Sequence, residues 1–190
     1  MRVKDEDKIA RIFDATIALS NEVGIEGLTI AKIANLAGLA SGTVYIYFKG
    51  KEELLNKLYE TLKQQGTSAA VEILPDQPIR PQLAAIWSAV FRYRVENHRE
   101  IRFLELFTAS SLMAEKNRAL SRNFKLLIEE FLTRGKVLGE IAEVPNLILY
   151  SVLTGSMKEL TQAYVVASPP LGEDFIAASF EPVWRAIERK

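Results

Sequence analysis

The chain has 190 residues, in which 24 Lys and Arg are balanced by 24 Asp and Glu, with one His and no Cys. The absence of cysteine excludes disulfides, thiolate metal sites and cysteine nucleophiles, and a single histidine excludes metal sites built from several histidines. Taken alone, the zero net charge argues against a nucleic-acid partner, because phosphate binding usually leaves a basic footprint.

Several other classes of protein are also disfavoured. No run approaches the ~18 apolar residues of a membrane span, and residues 1–8 (MRVKDEDK) lack the apolar segment of a secretory signal. We therefore expect a cytoplasmic protein with no membrane partner. The sequence suggests no Ser-His-Asp set, no carboxylate pair on an apolar face and no glycine-rich phosphate loop. We accordingly expect neither an enzyme nor a cofactor.

Apolar residues recur with helical spacing along nearly the whole chain. The first stripe runs from Ile9 to Val23 and is closed by Gly24. Similar stripes follow around Leu54 to Leu62, Leu83 to Phe91 and Leu120 to Phe131. Because no segment alternates with period two over a useful length, the pattern predicts an all-α fold.

The segment from Leu28 to Leu55 (LTIAKIANLAGLASGTVYIYFKGKEELL) predicts two short helices joined by a tight turn. Thr29 suits the N-cap of the first helix, and Gly38 suits the left-handed residue of the turn. The second helix, over about residues 41–48, is expected to turn Val44 and Phe48 inward. Such a pair crossing at a steep angle is typical of a helix-turn-helix.

Five residues of that second helix are small or carry hydroxyl groups. Short side chains let a helix end approach base edges in a major groove, and hydroxyls can bond to bases or phosphates. The two tyrosines are expected to be exposed, since neither has a packing reason to be there. Ala40, before the helix, offers no capping oxygen, so Ser41 is the alternative cap. The residues in question are Ser41, Gly42, Thr43, Tyr45 and Tyr47.

Local charge supports this interpretation although the total charge does not. Residues 1–60 hold 8 basic and 9 acidic residues, yet residues 27–51 contain no acid. Lys32, Lys49 and Lys51 all fall in that acid-free stretch. Lys51 also lies near the start of a helix, where free N–H groups favour an anion. A basic surface patch is therefore compatible with a neutral chain.

Proline and glycine residues divide the remainder. Pro75, Pro78 and Pro81 cannot continue a helix, which predicts a DNA-binding domain over residues 1–50, a linking helix over about 51–73 and a second domain over 74–190. Gly135 and Gly139 are expected to close the helix around Phe124. Two helices are predicted over about 146–167 and 173–188, the last of them kinked or divided at Pro182.

The segment from about Ile9 to Leu55 resembles the TetR family of bacterial transcriptional regulators. The resemblance rests on a run of the form T-x-x-x-I-A-x-x-A-G-x-S-x-G-T-x-Y-x-Y-F-x-x-K-x-x-L. It implies DNA contacts by Thr29, Tyr45 and Lys51 to phosphates, by Ser41, Gly42 and Thr43 to base edges, and by Tyr47; Lys32 adds to the basic patch. The matching residues are Thr29, Ile33, Ala34, Ala37, Gly38, Gly42, Thr43, Tyr45, Tyr47, Phe48, Lys51 and Leu54.

For the second domain the resemblance implies a small-molecule cavity among the helices and a homodimer paired through the last two helices. Without the resemblance, aromatic residues at helical spacing would simply be assigned to the core. Few polar residues face inward, which suggests an apolar or aromatic effector. The residues expected to line the cavity are Trp87, Phe91, Phe103, Phe107, Phe124, Tyr150 and Thr154.

The resulting hypothesis is a homodimeric repressor that binds a palindromic operator and is released by a small effector. Its two DNA-reading units would meet successive major grooves ~34 Å apart. Repression, as opposed to activation, is implied by the family resemblance alone. The alternative is a helical protein that binds a small molecule and keeps the helix-turn-helix only as a structural element.

Overall fold

The computed structural model describes residues 2–68, 77–167 and 172–190. Within these ranges the chain forms nine α-helices and no strand, which confirms the all-α prediction; one isolated antiparallel bridge joins Ile141 and Glu188. None of the described helices is long and apolar enough to cross a bilayer. The helices are α1 (Arg2–Val23), α2 (Ile30–Leu36), α3 (Ser41–Tyr47), α4 (Lys51–Ser68), α5 (Ile79–Glu96), α6 (His98–Thr108), α7 (Glu115–Val137), α8 (Asn146–Ala167) and α9 (Glu173–Ile187).

Several helix ends fall where the sequence predicts them. Helix α1 ends at Val23, and Gly24 directly after it has a φ of 69°, the left-handed conformation that glycine adopts at low cost. Helix α8 has the predicted bounds, and α9 is one continuous helix that contains Pro182. Residues 69–76, with Pro75, and residues 168–171 lie outside the described ranges.

Gly135 does not end α7, contrary to the prediction. It lies inside the helix, where a Cβ atom would come within 2.4 Å of the Ile141 side chain. The helix ends two residues later, and Gly139 takes the left-handed conformation with a φ of 73°. Gly135 is therefore explained by a close approach of the following segment, which periodicity does not reveal.

The described residues form two compact units. The first comprises Met1–Gln65 with Arg99–Ala119, and the second comprises Gly66–His98 with Leu120–Lys190. This division differs from the sequence boundary, which assigns everything from residue 74 onward to the second domain. The physical reason is that α6 buries its aromatic side chains in the first unit, where the ring centroids of Tyr59 and Phe107 are 5.7 Å apart.

A part-buried network of side-chain amides fixes the segment between α6 and α7 to α4. The Asn56 side chain donates to the Leu112 carbonyl at 2.8 Å and accepts from the Ala114 N–H at 2.7 Å. The amide of Asn117, which is buried, donates to both the side-chain and the backbone oxygen of Asn56 at 3.0 Å. These bonds hold residues 112–117 within the first unit.

The second unit is built from α5, α8 and α9, which pack against one another, together with the C-terminal part of α7. The start of α5 has no local cap, because its N-cap residue is Pro78. The Glu140 carboxylate accepts the N–H groups of Ile79 and Arg80 instead, at 3.0 to 3.3 Å. A carboxylate at a helix N-terminus satisfies free donors and complements the helix dipole.

We expect Asn56→Ala to lower the free energy of unfolding by about 1–2 kcal/mol, because the part-buried carbonyl of Leu112 and N–H of Ala114 lose their partner. Urea unfolding followed by circular dichroism measures the change.

The matched control is Asn123→Ala, which alters an exposed asparagine in the interior of α7. It should change stability by no more than about 0.5 kcal/mol. Equal effects of the two substitutions would contradict the importance of the amide network.

Candidate nucleic-acid interface

Thr29 begins the site as the N-cap of α2, as predicted. Its backbone is extended, and its Oγ1 accepts the Lys32 N–H at 3.3 Å. The oxygen therefore satisfies one of the free donors at the helix start. Because this bond uses the oxygen as an acceptor, the hydroxyl hydrogen can still be donated to an outside group. Thr29 is exposed, which leaves that hydrogen accessible.

The turn between α2 and α3 is fixed by backbone geometry and by one arginine. Gly38 has a φ of 64°, which confirms the predicted left-handed turn residue. The Leu39 N–H bonds to the Ala34 carbonyl at 2.9 Å. From α1, the guanidinium of Arg11 donates to the carbonyls of Ala37 and Gly38. Sequence reasoning missed Arg11, since nothing around it marks a partner 26 residues away.

Helix α3 has the predicted inner side. Val44 and Phe48 are buried, and the Phe48 ring lies 5.9 Å from that of Phe13 on α1. Ala40 occupies the N-cap position without a side-chain bond, and the helix begins at Ser41. Ser41 is thus a helical residue and does not replace the missing cap.

We call the exposed side of α3 and its C-terminal extension the outer face; it consists of Gly42, Tyr45, Ile46 and Lys49. Tyr45 is 56% exposed and Ile46 is 76% exposed. A Cβ atom at Gly42 would meet nothing within 4 Å, so the backbone is open to close approach there. Ser41 and Thr43 are half-buried beside this face.

Ile46 is a candidate that sequence reasoning missed. Its spacing of four residues from Gly42 places both on the same side of the helix, which is a signal that the sequence does contain. A large aliphatic side chain so exposed has apolar area available for contact. In a major groove, the apolar group that a base presents is the C5-methyl of thymine.

Tyr47 differs from Tyr45 and contradicts the expectation that both tyrosines are exposed. Its ring is half-buried against the core of the first unit. Its hydroxyl donates to Oδ1 of Asp5, at 2.7 Å. That hydrogen bond raises the pKa of the Tyr47 hydroxyl above its ordinary value, and desolvation and the Asp5 charge act in the same direction.

The three lysines of the acid-free stretch occupy different settings. Lys51 is half-buried and donates to the Ile25 carbonyl at 3.2 Å, while exposed Lys32 donates to the Gly27 carbonyl at 3.1 Å. The Lys49 backbone N–H bonds to the Glu53 carboxylate at 2.6 Å. Each ammonium has three donors, so both bonded lysines keep capacity for an anion.

The seven residues expected to line a cavity are divided between the two units. Trp87 and Phe91 are buried in the second unit, whereas Phe103 and Phe107 stack at 5.7 Å in the first. Phe124 is 42% exposed. Tyr150 lies 5.4 Å from the Lys125 ammonium, and the Thr154 hydroxyl bonds to the Tyr150 carbonyl. Equal helical spacing does not indicate which unit receives a side chain, and this explains the separation.

The second unit does contain a groove of about 400 Å³ between α5 and α9. Trp87 lies in it, together with Ala84, Ile176 and Phe180. Its rim carries the ion pair between Arg80 and Glu181, whose nitrogen and oxygen are 2.6 Å apart. The groove is thus mainly apolar, with charge at its edge.

Comparison with known proteins agrees with the geometry of the first unit. Residues 12–58 match the family model described as bacterial regulatory proteins, tetR family, and residues 53–189 match the tetracyclin repressor-like C-terminal domain. The chain belongs to the TetR family of bacterial transcriptional regulators. It is therefore a TetR-family transcriptional regulator, and the resemblance carried by residues 9–55 is confirmed.

Similarity to known proteins covers most or all of the chain. A fatty acid metabolism regulator protein of Bacillus subtilis is 27% identical over 163 residues, 84% of each chain. An HTH-type transcriptional regulator of Haemophilus influenzae is 25% identical over the full length of both chains. The crystal structure of a TetR-family regulator from Marinobacter aquaeolei, 27% identical, superposes with a TM-score of 0.85 over both full chains.

Proposed function

We propose that this TetR-family regulator is a ligand-responsive repressor that binds a palindromic operator as a homodimer. The observation that carries the proposal is the outer face of α3, which exposes Gly42, Tyr45 and Ile46 while Val44 anchors the opposite side. A seven-residue helix whose backbone is accessible at Gly42, and which exposes the apolar side chain of Ile46, fits a major groove.

In this proposal the site residues divide by what they touch. Thr29, Tyr45 and Lys51 contact phosphates, with Lys32 contributing to the positive potential. Ser41, Gly42, Thr43 and Ile46 face base edges. The roles follow from chemistry, because phosphate oxygens only accept hydrogen bonds and base edges also present donors and methyl groups.

The dimer is proposed to form through the outward sides of α8 and α9. The stripe of α8 that includes Leu153, Met157 and Tyr164 is buried in the core of its own unit. The opposite side carries Ile148, Gly155 and Val166, all exposed, and a Cβ atom at Gly155 would meet nothing. A bare glycine on an apolar helix face permits close approach of a symmetry-related helix.

The effector is proposed to be a small apolar or aromatic molecule bound in the second unit. The apolar groove beside Trp87 and Phe180 supports this class. The Bacillus subtilis relative is named for fatty acid metabolism, and a fatty acyl chain is also apolar. Because linkage is reciprocal, an effector that weakens operator binding is itself bound more weakly by the operator complex.

Operator binding is tested by fluorescence anisotropy with the DNA upstream of the gene against random duplex. We expect the operator to bind at least ~10³-fold more tightly. Lys51→Ala should weaken binding to both duplexes by a similar factor, whereas Thr43→Ala should weaken operator binding alone.

Lys57→Ala is the control for charge, because Lys57 is an exposed cation of α4 that pairs with Glu60. It should leave both affinities within about 2-fold of wild type. Equal affinity of the wild-type protein for operator and random duplex would favour the alternative, a small-molecule binding protein with a purely structural helix-turn-helix.

Ile46 is tested by replacing single thymines of the operator with uracil, which removes one methyl group. Burying a methyl group contributes ~0.8 kcal/mol. Uracil at the one thymine that Ile46 contacts in each half-site should therefore weaken operator binding about 4-fold, whereas uracil at other positions should not. Ile46→Ala should abolish that sensitivity.

Leu36→Ala is the matched control, since Leu36 is an exposed aliphatic residue at the end of α2. It should retain the thymine dependence of the wild type. Uracil sensitivity that persists in Ile46→Ala would show that another residue contacts the methyl group.

Gly155→Arg should prevent the proposed dimer and reduce operator affinity by ~100-fold or more, because the two DNA-reading units would no longer bind as one. Sedimentation velocity and anisotropy measure the two effects. Ala85→Arg, on the exposed side of α5, should leave the protein dimeric. A dimer that survives Gly155→Arg would exclude this part of α8 from the interface.

A further inference from the structure

Asp5 lies beside the acid-free stretch of the first unit, although the two are far apart in sequence. Its Oδ1 is 2.7 Å from the Tyr47 hydroxyl oxygen, across 42 residues of chain. Asp5 is half-buried in the first turn of α1, where a negative charge is favourable because of the helix dipole. A fixed carboxylate thus adjoins the C-terminal end of α3.

Tyr47 lies next to the outer face on α3. Tyr47 follows Ile46 directly, so its side chain flanks that face while its ring packs against the core. A phenol has one hydrogen to donate, and a phosphate oxygen can only accept. While Tyr47 donates to Asp5, it cannot donate to DNA.

Two effects of Asp5 therefore act in the same direction. Hydrogen bonds to a carboxylate are about twice as strong as those between neutral groups, which favours retention of the Tyr47 hydroxyl. The negative charge also repels phosphates that approach this edge of the outer face. Tyr45, by contrast, has no hydrogen-bond partner among the described residues and stays available.

We propose that Asp5 is a positioning residue that holds the Tyr47 hydroxyl away from the operator and thereby lowers the affinity of this protein for DNA. The inference rests on the proposed function, because it concerns the same operator complex. It departs from the role that the family resemblance implies for Tyr47, and it assigns the phosphate contact of this helix to Tyr45 alone.

The experiment compares Tyr47→Phe, Asp5→Asn, Asp5→Ala and the double variant Asp5→Ala/Tyr47→Phe by anisotropy with operator and random duplex. Tyr47→Phe alone should change operator affinity by less than about 2-fold, because its hydroxyl does not touch DNA. Asp5→Asn keeps an acceptor for Tyr47 but removes the charge, and should tighten binding to both duplexes about 3-fold.

Asp5→Ala also frees the hydroxyl and should tighten operator binding about 5-fold or more. In the double variant, the part of that gain due to the hydroxyl should disappear. The effect of Tyr47→Phe therefore depends on residue 5, which is the coupling that a double-mutant cycle measures.

Asp14→Asn is the matched control, since it removes the charge of an exposed carboxylate elsewhere on α1. It should leave affinity unchanged. A merely structural role of Asp5 would weaken binding in Asp5→Ala, so tighter binding separates the two roles.

Two results would overturn the inference and leave the proposed function standing. One is a 10-fold loss of operator affinity in Tyr47→Phe alone. The other is Asp5 variants that bind DNA no more tightly than the wild type. A wild-type protein without preference for its operator would overturn both.

Discussion

The turn at Gly38 is the constraint on which the candidate interface depends. Its left-handed backbone lies in the turn over residues 37–40, and the guanidinium of Arg11 donates to the carbonyls of Ala37 and Gly38. This combination sets the angle at which α3 leaves α2. In this arrangement Val44 and Phe48 are buried, whereas Tyr45 and Ile46 are exposed. The turn and the buried side of α3 thus determine which residues form the outer face.

The candidate interface carries little free positive charge. The acid-free stretch of residues 27–51 contributes only three lysines, and two of them already donate to carbonyls of the segment that precedes α2. The fold then adds two carboxylates, from Asp5 and Glu53, at the edges. So little free positive charge suits the proposed operator complex, in which affinity would come from groove fit and from two subunits more than from bulk electrostatic attraction. The neutral composition of the chain is consistent with this balance.

The sequence predicts those features of the fold and of the candidate site that depend on residues close together in the chain. The N-cap role of Thr29, the left-handed Gly38 and the inward Val44 each depend on neighbours within a few positions, and the structure confirms them. Asp5 and Arg11 could not be found this way, because their partners are 42 and 26 residues distant. The same holds for Phe103 and Phe107, since helical spacing identifies a buried side but not the unit in which it is buried.

The bonds around Glu140 have a consequence for the order in which the chain folds during synthesis. Glu140 caps α5 through its side chain, and its carbonyl accepts the Arg189 N–H at 3.0 Å, while the Ala142 N–H bonds to Ile187. The first unit has all of its residues once position 119 has been translated. The second unit instead needs residues 187–189 to complete the backbone hydrogen bonds of Glu140 and Ala142. Because translation adds only ~5–20 residues per second, the first unit can fold several seconds before the second. During that interval the apolar side of α5 lacks its partners from α8 and α9, and such exposed apolar surface favours aggregation.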